Sequence, residues 1–490
     1  MRLLDSLFIK VPLWSIRKAF YLLFLAFLGS LLIGITVFIL YMKSLPSLST
    51  WHTTILQNEF TTKSSVKDFD AYIALEEQLF EELDSKIYDK VLPSEKNHIN
   101  RYTKNSFADP QRWDRAWNRS FELAVKNPKM GVLLLHGMSD SPYSLHAQAK
   151  YLQKRGVWVV AMRMPGHGTV PSGLIEVKWQ DMAAAVKIGM DRLIQKLGDK
   201  PIHIMGYSTG APLALNYTLL ALQNSTLRLP SSLIFYSPAI GVSKAAPLAI
   251  WQSRLGHLLG LPKLEWNSII PEFDPFKYGS FAVNAGDQVY RVSNQVQKQL
   301  DLYTLNAKNT KPFPPVLSFA SIVDSTITVP DIVNKFYNRL PEGNHTLVLF
   351  DINNGFSSSH LVKNNVAKSI QKLQETSTDI HYRFDLISDM NSTDDNLMLM
   401  TNNKIVKKLN LQWPDGLYSL SHLAVPISNN DPLYGDRNGP KSPGVQLGHL
   451  AFYGETSILE ISAASMLRQR WNPFHDYTKQ RVLEFLELEE

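Results

Sequence analysis

The strongest pattern in the chain is an unbroken apolar run from Ala19 to Tyr41, AFYLLFLAFLGSLLIGITVFILY, with no charged residue. About 20 apolar residues in a helix cross a hydrocarbon core, and aromatic residues near both ends suit the two interfaces. The run is too long for the apolar region of a signal peptide, and Tyr41-Met42-Lys43-Ser44-Leu45-Pro46 is a poor cleavage site. The expectation is an uncleaved transmembrane anchor over residues 19–41. Arg2, Lys10, Arg17 and Lys18 precede it, whereas only Lys43 follows closely. The positive-inside rule then puts a tail of residues 1–18 in the cytoplasm and the rest of the chain on the outer side, periplasmic or extracellular.

Beyond the run, residues 42–125 are polar and mostly helical in pattern. Ala71–Leu83 carries apolar residues at helical spacing, so one face can pack. This stretch reads as a juxtamembrane helical region docking on the domain C-terminal to it. From residue 126 to 242 the pattern alternates. Strands are predicted at Gly131–Leu135, Val157–Met162, Ile202–Met205 and Leu233–Tyr236, and helices at 144–155, at 179–197 and from Thr209. Short apolar runs separated by helices argue for a parallel sheet in an α/β domain. Over 243–312 the alternation is lost, in a long apolar stretch holding Trp251, Trp266, Phe273, Phe276 and Phe281. Structureless loops of that length are uncommon, so it reads as an inserted cap. The alternation resumes over 313–490, with Pro315–Ala320, a helix at 328–339 and Thr346–Phe350, followed by a C-terminal extension.

Composition narrows the classes. Hydrophobic content of 44% and charged content of 19% fit a globular protein with a substantial core. The net charge of +6 is not gathered into a Lys/Arg run, so nucleic acid is not an expected partner; solubility or an anionic membrane surface accounts for the excess. There is no cysteine, which excludes disulfides, thiolate catalysis and Cys-ligated zinc. No H-E-x-x-H or phosphate-loop pattern appears, and neither a metal nor a cofactor is expected.

The chemistry centres on Gly206-Tyr207-Ser208-Thr209-Gly210, a G-x-S-x-G sequence between a predicted strand and a predicted helix. A sharp strand-to-helix turn pushes the serine Oγ out of the sheet top, and the helix N-terminus favours developing negative charge. Ser208 is therefore the candidate nucleophile. An oxyanion hole needs two N–H donors. Thr209, the residue after the nucleophile, supplies one, and Met138, in the loop after strand 131–135, the other. His136 ends that strand and reads as structural.

Three segments together resemble a known family. Leu135-His136-Gly137-Met138-Ser139-Asp140-Ser141-Pro142, Arg163-Met164-Pro165-Gly166-His167-Gly168-Thr169 and the Ser208 turn look like the α/β-hydrolase carboxylesterases and monoacylglycerol lipases, in a branch shared with serine aminopeptidases. The likeness is clear over 130–240, fair over 313–350, and not evident over 1–125 or the last 60 residues. It implies an α/β-hydrolase fold: a mostly parallel central sheet with helices on both faces and an inserted cap, here preceded by one transmembrane helix. The chain order in that fold is serine, acid, histidine. The acid follows strand 315–320, where Asp324 in Asp324-Ser-Thr-Ile-Thr-Val-Pro resembles the family pattern with one extra residue; Asp331 is the alternative.

The histidine stays open between two residues. His360 follows strand 346–350 at the usual family spacing, in a Ser-rich tract. His422 lies in Ser421-His422-Leu423 beside a Pro-bounded loop and is favoured because such a loop holds a base better. Choosing it makes 352–415 an elaboration before the last catalytic loop. The implied activity is hydrolysis of carboxylic esters, lipid-like or acylglycerol in kind given the apolar stretch and the anchor. The rivals are an amidase or aminopeptidase with the same three residues, for which Glu265 and Glu272 are too scattered to read a free amine; an acyltransferase that excludes water; and a membrane-tethered binding protein that has lost catalysis.

Overall fold

The computed structural model describes residues 13–241, 256, 260–305, 311–353, 380–389, 396–402, 404–414, 419–448 and 470–489. It forms two compact units, Met1–Leu48 and Ser49–Glu490. In the first, helix α1 (Leu13–Ser44) contains a stretch, Arg17–Ser44, long and apolar enough to cross a membrane, with nothing buried along its apolar window. By length and composition it suits a membrane anchor or a signal sequence.

The second unit is built on a sheet of ten strands among the described residues. In chain order these are β1 (Phe121–Leu123), β2 (Met130–Leu135), β3 (Val157–Met162), β4 (Ile202–Tyr207) and β5 (Ser232–Tyr236). A separate two-stranded ribbon, β6 (Trp266–Ser268) with β7 (Phe281–Ala282), comes next. The large sheet continues with β8 (Val316–Ser321), β9 (His345–Phe350), β10 (Arg383–Ser388), β11 (Asn396–Thr401) and β12 (Lys404–Gln412). The spatial order is β1-β3-β2-β4-β5-β8-β9-β10-β11-β12. From β3 to β10 every neighbouring pair is parallel. Strands buried on both faces explain why β2, β4, β5 and β8 read as continuous apolar runs.

Helices cover both faces. The helices α2 (Phe69–Leu83), α3 (His146–Lys154), α4 (Trp179–Leu197), α5 (Gly210–Gln223), α6 (Val283–Leu305), α7 (Val329–Lys335) and α8 (His475–Phe485) complete the frame. Val132, Leu134, Met205, Ile234, Leu317 and Val348 point to one side, in a single core with Leu152 of α3 and Val482 of α8. Gly131 and Gly189 sit on the other face, where a Cβ would meet Leu197 and Leu133, so α4 lies close on the strands. The parallel strands all end along one edge, which is where an open α/β sheet places its chemistry.

Several expectations need correction. Residues 49–125, expected to be mostly helical, lie in the same compact unit as the sheet and also supply β1, which joins its edge antiparallel to β3. A three-residue strand carries too little periodicity to be read in advance. The Ala71–Leu83 helix does pack by its apolar face, but its functional contact is polar: Glu76 meets the buried Arg163, and Tyr72 OH donates to the Arg163 carbonyl. The 243–312 stretch also divides. Its described first part is short and irregular, whereas α6 is a long helix packed against α5 as part of the helical layer. The helix expected over 328–339 ends at Lys335 and continues as a single 3-10 turn, Tyr337–Arg339. Beyond β10, the hairpin β11–β12 extends the sheet antiparallel, which no sequence signal announced.

Candidate active site

Ser208 sits in the turn between β4 and α5, partly exposed, with φ 51°. A non-glycine residue in the left-handed region is costly and persists only where its surroundings hold it. Here they do. Ser208 N–H donates to Tyr236 O, and Ser208 O accepts from Ala211 N and Ala239 N. The flanking glycines are required by contact: a Cβ on Gly206 would come 2.7 Å from Ala211 N, and one on Gly210 would come 2.1 Å from Leu135 O. The G-x-S-x-G pattern thus states a packing requirement between the turn and the neighbouring strand.

Two side chains reach this serine from distant parts of the chain. His422 Nε2 lies 3.0 Å from Ser208 Oγ, and His422 Nδ1 lies 2.7 Å from Asp324 Oδ2. The other Asp324 oxygen accepts from Thr326 N at 2.8 Å and Ile327 N at 2.9 Å, which fixes the carboxylate plane. The loop carrying His422 is itself tied down. Gln148 donates to Pro426 O, Asn472 donates to Val425 O, and Leu420, Ala424 and Val425 are fully buried. His360 lies outside the described residues. Asp331 faces elsewhere, bonded to Thr328 and Lys335.

The two expected oxyanion donors flank the serine. A Cβ on Gly137 would come 3.1 Å from Ser208 Cβ, so the loop after β2 lies directly against the nucleophile candidate. Among the described residues neither the Met138 amide nor the Thr209 amide has an acceptor. His136 is structural: its Nδ1 bonds Gly137 O and its Nε2 accepts from Met164 N. Burial, with His167 adding to it, holds His136 well below the usual histidine range, so the neutral ring that this bonding pattern needs is favoured.

A cavity of about 390 Å³ opens beside the site. Tyr207 and Leu423, the neighbours of Ser208 and His422, form one wall; Phe273, Phe276, Lys277 and Tyr434 form another. Its acidic groups are already engaged. Asp140 pairs with Lys277, and Asp274 accepts from Tyr434 OH and from two backbone N–H groups. Glu272 is buried, accepting from Gly279 N and Ser280 N. A larger cleft of about 900 Å³, lined by His52, Val177, Glu265 and Arg291 among others, contains none of the residues that meet at Ser208. The aromatic residues of 273–281 stand out in the sequence, but Lys277 among them does not, because no motif marks it.

Residues 126–351 match the model of the family described as serine aminopeptidase, S33. A thermostable monoacylglycerol lipase from Bacillus sp. (strain H-257) is 33% identical over 91 residues, which span 19% of this chain and 36% of that protein. Among solved structures, a soluble variant of monoglyceride lipase from Saccharomyces cerevisiae shares 18% identity, covering 52% of this chain and 89% of its own, with a TM-score of 0.38. A monoacylglycerol lipase from Paleococcus ferrophilus shares 20%, covering 47% and 88%, with a TM-score of 0.35. With its parallel sheet and its serine turn at the end of β4, the chain has the α/β-hydrolase fold, and residues 126–351, a little under half of it, are similar to the serine aminopeptidase S33 family.

Proposed function

We propose that this protein is a membrane-anchored serine hydrolase that cleaves carboxylic esters, with Ser208 as nucleophile, His422 as base and Asp324 as the acid that orients it. One observation carries the reading: an unbroken hydrogen-bonded line from Ser208 Oγ through His422 to Asp324 Oδ2, at 3.0 and 2.7 Å. Nothing in the packing of a purely structural serine calls for that line to end on a partly exposed hydroxyl beside a cavity.

The chemistry follows from the atoms. His422 Nε2 takes the Ser208 proton as Oγ attacks the ester carbonyl, and Asp324 stabilises the imidazolium through Nδ1–H. The carbonyl oxygen becomes an oxyanion that the Met138 and Thr209 amides receive; one such donor is worth about 2.7–4 kcal/mol in the transition state. His422 then hands its proton to the departing alcohol. Water, deprotonated by the same ring, releases the acid from Ser208. The aromatic cavity wall and the apolar N-terminal helix support a lipid-like or acylglycerol ester, as does the Bacillus relative's being a monoacylglycerol lipase. An aminopeptidase would need a free carboxylate for the substrate's amine. The acids lining the cavity already have partners, which favours the ester.

The test uses full-length protein in detergent with p-nitrophenyl esters of several chain lengths, aminoacyl p-nitroanilides and a fluorophosphonate probe. Ester hydrolysis abolished by Ser208→Ala and by His422→Ala, but not by His360→Ala, is the expected result. Loss with His360→Ala instead would move the base to that residue. Failure to cleave any ester or to take up the probe would sink the hydrolase reading.

A further inference from the structure

The loop that presents Met138 is not self-supporting. Ser139 has φ 65°, again left-handed for a residue with a Cβ. Within the loop itself the Asp140 N–H reaches Gly137 O at 3.3 Å. A backbone in that region stays put only if outside contacts over-determine it. Those contacts come from residues 277 and 278. Tyr278 N–H donates to Ser139 O at 2.9 Å. Lys277 Nζ donates to Ser139 Oγ at 3.1 Å and to Asp140 Oδ1 at 2.9 Å.

The support is in turn fixed. The Phe276 and Lys277 amides donate to Asp274 Oδ1, and Asp274 accepts from Tyr434 OH. Thr169 N–H donates to Tyr278 OH at 2.7 Å, and that hydroxyl donates to Gly166 O. The Lys277–Asp140 pair is largely shielded, with side chains 22% and 10% exposed, so its charge-assisted bonds are stronger than at an open surface.

We infer that Lys277 is a positioning residue for the oxyanion loop, acting through Ser139 and Asp140 to aim the Met138 amide at the reacting carbonyl. The inference rests on the hydrolase reading above. Lys277 also lines the cavity, so a direct contact with substrate is the competing role, and the kinetics separate the two. A residue that only aims a donor changes kcat; one that holds substrate changes KM.

The experiment compares wild type, Lys277→Met, Lys277→Arg and the double variant Lys277→Met/Asp140→Asn as full-length proteins in detergent, with p-nitrophenyl butyrate. The double variant removes the clamp without stranding a buried carboxylate, so it reports even where the single change impairs folding. Lys277→Met and the double variant should each lower kcat by about ten- to a hundredfold, the range that a donor misplaced by about 1 Å produces. KM should stay within about threefold, and Lys277→Arg, which keeps the donors, should recover most of kcat. Unchanged kcat in Lys277→Met, a loss carried by KM, or recovery in the double variant would each overturn the inference. Wild type inert to both ester and fluorophosphonate would overturn the hydrolase reading, and this inference with it.

Discussion

The two halves of the site are held by different means. The half around Ser208, the proposed nucleophile, is a backbone construction: Ser208 and Ser139 sit at positive φ, and Gly206 and Gly210 are squeezed against main-chain atoms. Its loops rest on the N-terminal region through Arg163, whose guanidinium meets Glu59 and Glu76 and whose carbonyl takes Tyr72 OH. The half around His422, the proposed base, is a side-chain construction. Asp324 and His422 come from loops 98 residues apart and meet through one 2.7 Å bond. Damage to the first half should therefore appear as lost stability, and damage to the second as lost chemistry in an intact fold.

The largest effects lie where the halves touch. His422→Ala and Ser208→Ala should each lower kcat by about 10⁶-fold, while thermal unfolding stays within a few degrees of wild type. Asp324→Asn leaves the ring in place but favours the wrong tautomer, and kcat should fall by about 10⁴-fold. Steady-state kinetics beside a melting curve checks both. A large fall in melting temperature with His422→Ala would erase the distinction between the halves.

Glu76→Ala tests the other side of the comparison. Arg163 and Glu76 are both buried, with side chains 1% and 3% exposed, and Glu76→Ala leaves the guanidinium with Glu59 alone and its Nε without that carboxylate. Stranding a buried charge outright costs about 3–5 kcal/mol, and the retained Glu59 brings the expected loss to about 2 kcal/mol. Denaturant unfolding should show that loss although Glu76 never approaches Ser208. Gly210→Ala is expected to cost about 3 kcal/mol, because its Cβ would enter the Leu135 carbonyl 2.1 Å away and the turn must shift. A Gly210→Ala protein with wild-type stability would show that the turn yields more easily than its contacts imply.

The same contrast explains what could be read from the sequence. The serine turn was legible because its requirements are local: strand, glycine, serine, glycine, helix within a dozen residues. Strands β2 to β5 were legible because burial on both faces writes itself as apolar runs. The choice of histidine was not, since the Ser208–His422 contact spans 214 positions and depends on how an elaborated sheet edge returns the chain. The residue on which 49–125 docks was hidden for another reason. Apolar spacing in α2 told that it packs, but the partner of Glu76, Arg163, is named only by the fold. Lys277 had no pattern around it, because its role is defined by two neighbours 137 and 138 positions away.

The smallest effect expected concerns the buried histidines outside the proposed triad. Burial pushes His52, His167, His203, His345 and His475 down from 6.5 to about 4. Their folded-state affinity for protons is depressed, so on unfolding below about pH 6.5 each takes one up. The stability they contribute is present above pH 6.5 and is lost as the pH falls toward 4. Glu76, Glu272 and Asp274 oppose this, because burial raises them and the folded state then binds protons more readily than the unfolded one. With seven lowered histidines, counting His136 and His146, against four raised carboxyls, counting Asp84, the net trend should be a fall in stability from pH 6.5 to 4.5. His203→Asn isolates one proton of it. His203 is buried on β4 with Nδ1 on Ser232 Oγ at 2.7 Å, a contact that asparagine can imitate. Urea unfolding of this variant should show a pH slope shallower than wild type by about 1.4 kcal/mol per unit between pH 4.5 and 6, the value of one proton. An unchanged slope would mean that the carboxyls, not the buried histidines, set the acid limit of the fold.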